Sequence, residues 1–302
     1  MRAIRLHRPG GPEELVLERI ETPRLRAGEA LVRVHAAAIT RDELEWPVDR
    51  LPAIPSYELS GVVAAVAPDA DAGLIDQPVY ALTSFDRDGA AADYAAVPAN
   101  LLALKPRTLD HLESAAIPLA ALSAWQGLFD HGGLEEGQRV LITGAAGGVG
   151  HFATQLARWR GAYVIGTGSR TNGESARRFG AHEVLDHTKT PVEDALDPVD
   201  LVFDTVGGEL LERSPAIVRE GGRLVSVAEQ PPESPTTATI AAMYFVVEPN
   251  CEQLAELARL VDTGDLRPAI DSVFPLADAR AAFERSMAAG KRGKVVLRVV
   301  DD

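Results

Sequence analysis

The densest chemistry in this chain sits in seven small residues, Gly144-Ala145-Ala146-Gly147-Gly148-Val149-Gly150. They follow a short apolar run, Val140-Leu141-Ile142, and precede a helical pattern with Phe152, Leu156 and Trp159 near one face. An apolar run of that length suits a strand buried on both faces. Strand, glycine turn and helix in that order open a dinucleotide-binding βαβ unit. Glycine lets the backbone approach a pyrophosphate that a side chain would hold away, and the first helical turn offers that anion unpaired N–H groups and partial positive charge. Ala145 takes the first place of the G-x-G-x-x-G pattern, leaving A-x-G-x-x-G, in which Ala146, Gly147, Gly148 and Val149 face the phosphates.

The next strand ends at Thr167 and runs into Gly168-Ser169-Arg170-Thr171-Asn172. A dinucleotide without a 2′-phosphate is usually held here by an acid about 20 residues into the motif. No acid stands there. Gly168 leaves room, while Ser169 and Arg170 can hydrogen-bond and neutralise a 2′-phosphate, which points to NADPH. Asn172 is expected both to contribute to this site and to cap the following helix. Ligands of such sheets sit beyond the carboxyl ends of the strands. That rule adds Thr205 and Val206 after the fourth strand and Val227 at the end of the fifth, and it places His187, at the end of the third, near an adenine.

These residues need a scaffold, and the chain predicts an α/β protein in two parts. Strands are expected at 139–144, 162–167, 183–187, 199–204 and 222–228, with helices starting near Gly150, Asn172, Pro191 and Gly208. That alternation implies a Rossmann-type, doubly wound parallel sheet. A sixth strand is expected at 239–247, and Leu254, Leu257, Leu260 and Val261 then fall at helical spacing. Residues 1–118 are strand-rich and punctuated by proline, with a hairpin of 2–6 and 15–20, an alternating strand at 30–37, and β-branched runs at 61–67, 78–82 and 94–97. Residues 39–60, holding Thr40, Asp42 and Trp46 among three prolines, read as a loop. A helical crossover, 119–131, leads into the second part, and the strand–helix–strand tail at 269–300 is expected to return to the first. The division is therefore 1–118 plus 251–302, discontinuous, and 119–250.

A chain of 302 residues can bury two cores. Its net charge of −14 argues against a nucleic-acid surface and against an anionic membrane. One cysteine, Cys251, excludes an internal disulfide and a four-thiolate zinc site. No apolar run approaches the roughly 20 residues of a spanning helix, so a reducing cytoplasm is the expected compartment.

Several segments carry a resemblance over nearly the whole length: VLITGAAGGVG, ALSAWQGLFDHGGLEEGQ, VFDTVGG, GGRLVSV and FPLADARAAFE with GKRGKVVLRV. The chain resembles the zinc-free quinone oxidoreductase branch of the medium-chain dehydrogenase/reductase superfamily. The resemblance implies a GroES-like catalytic domain for the strand-rich part and places the backbone of 245–247, with Phe245 and Val247, against a nicotinamide amide. It implies NADPH-dependent hydride transfer to a quinone or an α,β-unsaturated carbonyl, with Thr40, Asp42 and Tyr57 lining the pocket and Tyr57 orienting or protonating the oxygen. Thr40 stands where the family usually carries asparagine. Zinc ligands of the superfamily are replaced by Ile39-Thr40-Arg41-Asp42 and Tyr57-Glu58. His182 and His187, five apart on a predicted strand, do not make the metalloprotease pattern, which needs four on a helix. Two other readings remain open: a nicotinamide-binding sensor or scaffold without turnover, and an enoyl-thioester reductase. The segment 239–247, apolar on both faces at a sheet edge, predicts a homodimer through that edge.

Overall fold

A computed structural model of the chain describes residues 1–46, 49–168, 170–186, 189, 191–232 and 240–300, with the side chains of Arg170 and Thr171 excepted. The chain forms two compact units. One comprises Met1–Leu119, Glu248–Gly264 and Pro268–Asp302; the other comprises Ala120–Val247 and Asp265–Arg267.

In the first unit the long strand Glu29–Ile39 organises the rest. Its early residues alternate, with Val32 and Val34 buried against an exposed Arg33. From Ala36 to Ile39 every residue is buried, so the alternation ends. Ala37 and Ile39 join the main core with Val63, Val79, Phe283 and Leu297, whereas Ala36 and Ala38 pack with Ala115, Ala116 and Val296 on the other face. The covering helix His111–Ala115 starts from a capping box of Asp110 and Glu113, which satisfies its first N–H groups. The sheet order is Ile270–Pro275, Lys294–Arg298, Glu29–Ile39, Glu58–Val66, Pro78–Leu82, Ala103–Leu104, with Tyr94–Pro98 also pairing onto Glu29–Ile39. The tail thus completes this sheet, Val295–Arg298 running antiparallel to 36–39. The Arg2–Leu6 and Leu15–Arg19 hairpin forms as predicted. The 39–60 segment differs from expectation, because a strand already begins at Glu58. A fully buried glutamate and serine at its start hide the strand from a reading based on apolar residues.

The second unit holds six parallel strands in the order Glu183–Leu185, Tyr163–Thr167, Arg139–Ile142, Val199–Asp204, Val218–Ser226, Ala241–Tyr244. Counted along the chain this is 3-2-1-4-5-6, the doubly wound order. The fifth strand starts four residues earlier than the predicted 222 and ends at Ser226. The sixth is shorter than predicted, Ala241–Tyr244, and Thr239 lies outside the described residues. Helix Gly150–Trp159 buries Phe152 and Leu156, while Trp159 is exposed, its ring beside those of Trp125 and Phe129. The crossover runs as an α-helix, Pro118–Trp125, continued by a π-helical stretch, Gln126–His131. Residues 265–267 join this unit through Gln155, whose amide accepts from Arg267 N at 3.1 Å and donates to Arg267 O at 3.0 Å. Among the described residues no helix is long and apolar enough to cross a membrane.

Tyr80, fully buried in the first unit, donates its hydroxyl to the Leu254 carbonyl at 2.5 Å, fastening the Cys251–Thr263 helix. Burial holds its proton well above the usual phenol range. Tyr80→Phe is expected to cost about 1 kcal/mol, read as a lower midpoint in urea with an unchanged slope.

Candidate functional site

In the second unit the strand ends bring the predicted nucleotide residues to one end of the sheet. Gly144 turns with φ +59°, and a Cβ there would stand 2.7 Å from Val206 Cγ2. Gly150 has a stricter reason to be glycine: a Cβ would fall 2.1 Å from the Gly144 carbonyl oxygen. Ala145 is accommodated because residue 166 is glycine, whose own Cβ would come within 2.6 Å of the Ala145 methyl. Val149 occupies the cap of the Gly150–Trp159 helix and supplies no side-chain acceptor. In the first turn His151 N bonds Gly147 O and Phe152 N bonds Val149 O, both at 3.1 Å, so a dinucleotide pyrophosphate would meet the backbone of the glycine turn itself. Ala146 is buried, and Gly147, Gly148 and Val149 are half-buried in the turn. Gly168 closes its strand, donating to Leu185 O at 3.1 Å. Asn172 does not cap the next helix. That helix starts at Arg170, so Asn172 lies in its first turn. Ser169 and His187 lie outside the described residues, as does the side chain of Arg170. Thr205 is half-buried and bonds the Thr143 carbonyl at 2.7 Å; Val206 is exposed and Val227 half-buried. Phe245 and Val247 are buried, with Phe245 packed on the His131 ring at 4.4 Å and its N–H on Ser226 O.

These strand ends are gathered by a residue that the sequence reading missed. Asp204 is fully buried at the end of Val199–Asp204. Its carboxylate accepts from Thr143 Oγ1 at 2.7 Å, Ser226 Oγ at 2.8 Å and Gly207 N at 3.0 Å. Thr143 Oγ1 in turn accepts from Thr205 N at 2.8 Å, and Ser226 Oγ from Ala228 N at 3.1 Å. Loops after three strands therefore hang on one carboxylate. The available signal was an acid closing an apolar run, Leu201-Val202-Phe203-Asp204, three residues before a glycine pair.

In the first unit Thr40 is half-buried at the end of its strand, and its hydroxyl accepts from Lys294 Nζ at 3.2 Å. Lys294 is buried and pairs with the buried Glu58 at 2.6 Å. Asp42 is exposed and forms no side-chain cap for the short turn Glu43–Glu45. The buried carboxyl of this loop is the next residue, Glu43. It accepts from Thr40 N at 3.2 Å and Ser56 N at 3.1 Å. Burial, partly offset by Lys294, pushes Glu43 up to about 8. Tyr57 is fully buried; burial raises its phenol to about 12 although Arg50 Nη2 donates to its oxygen at 2.7 Å. Its ring packs with Trp46 at 5.6 Å and Phe85 at 5.4 Å, which are themselves edge to face at 5.1 Å. Trp46 and Phe85 are half-buried, the accessible part of this aromatic cluster. Burial and the like charges of Lys294 and Arg41 lower Lys291 to about 8. Cys251 opens a helix, half-buried. Among the described residues no three His, Cys, Asp or Glu side chains converge as metal ligands.

Residues 26–107 match the alcohol dehydrogenase GroES-like domain family, and residues 179–297 match the zinc-binding dehydrogenase family. A probable zinc-binding oxidoreductase, mitochondrial, of Arthroderma benhamiae is 33% identical over 300 residues, covering 92% of this chain and 90% of that protein. The chain belongs to the medium-chain dehydrogenase/reductase superfamily. The chloroplastic NADPH-dependent alkenal/one oxidoreductase of Arabidopsis thaliana is 31% identical over 303 residues, 93% of this chain and 76% of that one. The solved quinone oxidoreductase of Coxiella burnetii superposes with a TM-score of 0.91 at 30% identity, over 99% of both chains.

Asp204→Ala would strand three buried donors, each costing about 1–3 kcal/mol. NADPH titration followed by protein fluorescence is expected to show at least a tenfold weaker Kd than for the wild type.

Proposed function

We propose that this chain is an NADPH-dependent oxidoreductase that transfers hydride to a quinone or an α,β-unsaturated carbonyl without zinc. The observation that carries the reading is the Lys294–Thr40 hydrogen bond. A threonine oxygen that accepts from a buried ammonium directs its own O–H elsewhere and is polarised as a donor. Bound NADPH supplies the hydride, and the names of the Arabidopsis and Coxiella relatives accord with acceptors of this class. Hydride addition at a conjugated carbon moves an electron pair onto the carbonyl oxygen. Thr40 Oγ1 donates to that oxygen as its charge grows, and a solvent proton completes the product. The half-buried faces of Trp46 and Phe85 suit a flat conjugated substrate. Tyr57, buried and engaged with Arg50, keeps its proton and orients the cluster rather than donating.

The donor set supports the zinc-free part of the reading. Tyr57 faces a guanidinium, and Glu58 is committed to Lys294 and to Leu119 N at 2.8 Å. Enoyl-thioester reduction is the second reading, favoured by the neighbouring cations Arg41 and Lys291. We assign the cofactor preference to NADPH on the absence of an acid after Gly168. The nucleotide residues of this proposal are the 146–149 turn, Gly168, Ser169, Arg170, Asn172, His187, Thr205, Val206, Val227, Phe245 and Val247. A single thiol suits the reducing cytoplasm.

Oxidation of NADPH by an enone and a quinone series, followed by loss of nicotinamide absorbance, tests the reading. Turnover is expected with NADPH and at least tenfold less with NADH. Thr40→Val is expected to lower kcat roughly a hundredfold with little change in NADPH affinity. Failure of every acceptor, acyl thioesters included, would leave a binding protein without turnover.

The edge strand Ala241–Tyr244 exposes Ala241, Ala242 and Tyr244, and Val246 beyond it is also exposed. An apolar open edge supports pairing with a second copy. Sedimentation velocity is expected to give a species of twice the 32.2 kDa chain mass, shifted toward monomer in Tyr244→Lys.

A further inference from the structure

The first unit contains a buried carboxyl that the proposed hydride transfer does not use directly. Glu43 has no exposed surface. Its two oxygens take N–H groups from two separate stretches, Thr40 at the end of one strand and Ser56 before the next. Ser56 Oγ adds a longer contact at 3.5 Å. Ser56 is held at φ +66°, a left-handed conformation that is unfavourable for a non-glycine residue and persists only where its surroundings impose it. The residue after Ser56 is Tyr57, whose ring carries Trp46 and Phe85. The same carboxyl is thus bonded to the backbone of the proposed donor and to the residue that sets the aromatic cluster.

We propose that Glu43 is a positioning residue, a buried carboxyl that fixes the spacing between the Thr40 hydroxyl and the Tyr57–Trp46–Phe85 cluster. The inference rests on the reading of Thr40 as the oxyanion donor. The antiparallel pairing of the two strands ends at Ala38 and Glu58, two residues short of Thr40 and Ser56, which stand opposite each other in the continued register. Beyond the last strand pair, hydrogen bonds to one acid tie the two ends together. The acid also ties the geometry to proton concentration. The charged groups acting on it are Lys294, from the last strand, which favours its ionisation, and Glu58, from the strand after Tyr57, which opposes it; Tyr57 is the titratable neighbour that feels it in return. Below pH about 8 Glu43 is neutral and Lys294 has one carboxylate, Glu58, to balance. Above it a second carboxylate competes for the same ammonium and draws it from Thr40 Oγ1, so activity falls as pH rises.

The test compares wild type, Glu43→Gln and Glu43→Ala with an enone or quinone that the wild type reduces. Glu43→Gln keeps the size of the side chain but presents an amide N–H₂ where one oxygen accepted; Glu43→Ala removes both acceptors. The expected result is a kcat lowered at least tenfold in Glu43→Ala and less in Glu43→Gln, with NADPH Kd within twofold of wild type in both. The wild-type kcat profile is expected to fall above pH about 8, and that limb is expected to vanish in Glu43→Gln. A kcat unchanged in Glu43→Gln together with an unaltered alkaline limb overturns the inference, even if Glu43→Ala fails to fold. So does a loss of kcat that merely parallels a loss of NADPH binding in both variants. Wild-type protein that binds NADPH yet reduces no acceptor overturns the underlying reading, and the inference with it.

Discussion

A lysine and a glutamate, each almost without solvent contact and 2.6 Å apart, hold the first unit in its working form. Lys294 opens the last strand of the chain and Glu58 opens the strand after the loop, so the pair joins stretches more than 200 residues apart in sequence. Neither partner is dispensable, since an isolated charge left in such surroundings costs roughly 3–5 kcal/mol. Both reach further: Lys294 to the Thr40 hydroxyl, Glu58 to the N–H of Leu119 where the unit ends. The discontinuous unit follows physically from this arrangement. The chain must come back after the second unit, because the cation that balances Glu58 is carried by the strand Lys294–Arg298.

The second unit solves a related problem with one charge. Asp204 is as buried as Glu58, but among the described residues no cation pairs with it; hydroxyls and backbone N–H groups supply the compensation. Hydrogen bonds to a charged acceptor are stronger than neutral ones, and these donors belong to the loops after three parallel strands. The anion therefore shapes the end of the sheet where the proposed nucleotide residues lie. The close approach of Gly150 to the Gly144 carbonyl serves the same end, bringing the helix N-terminus onto the turn with no side chain between.

The two units differ in how much of this was legible. The parallel sheet announces itself because its first four strands are short runs each followed by a turn and a helix, whereas the 3-2-1-4-5-6 order came only from the structure. The 39–60 segment hid its content for the opposite reason. Its decisive residues, Glu43, Ser56, Tyr57 and Glu58, are polar or amphipathic and yet buried, while polar residues are normally read as exposed. Asp42 and Glu43 are adjacent acids, and only the direction of the Glu43–Glu45 turn decides that the second points inward. Asn172, a plausible cap by type, falls within the helix because the helix starts two residues earlier.

By itself the sequence determined the family, the doubly wound sheet, the glycine turn with its uncapped helix and the absence of an acid after Gly168. These are local matters of residue type and short-range period. Tertiary structure alone decided which charges are buried together: Lys294 with Glu58 and Thr40, Glu43 between Thr40 and Ser56, Asp204 beneath three loops. A buried polar group must find its partner wherever the fold brings one, and the partners lie from 3 to 254 positions away along the chain. No period or motif encodes that distance; the sheet order does.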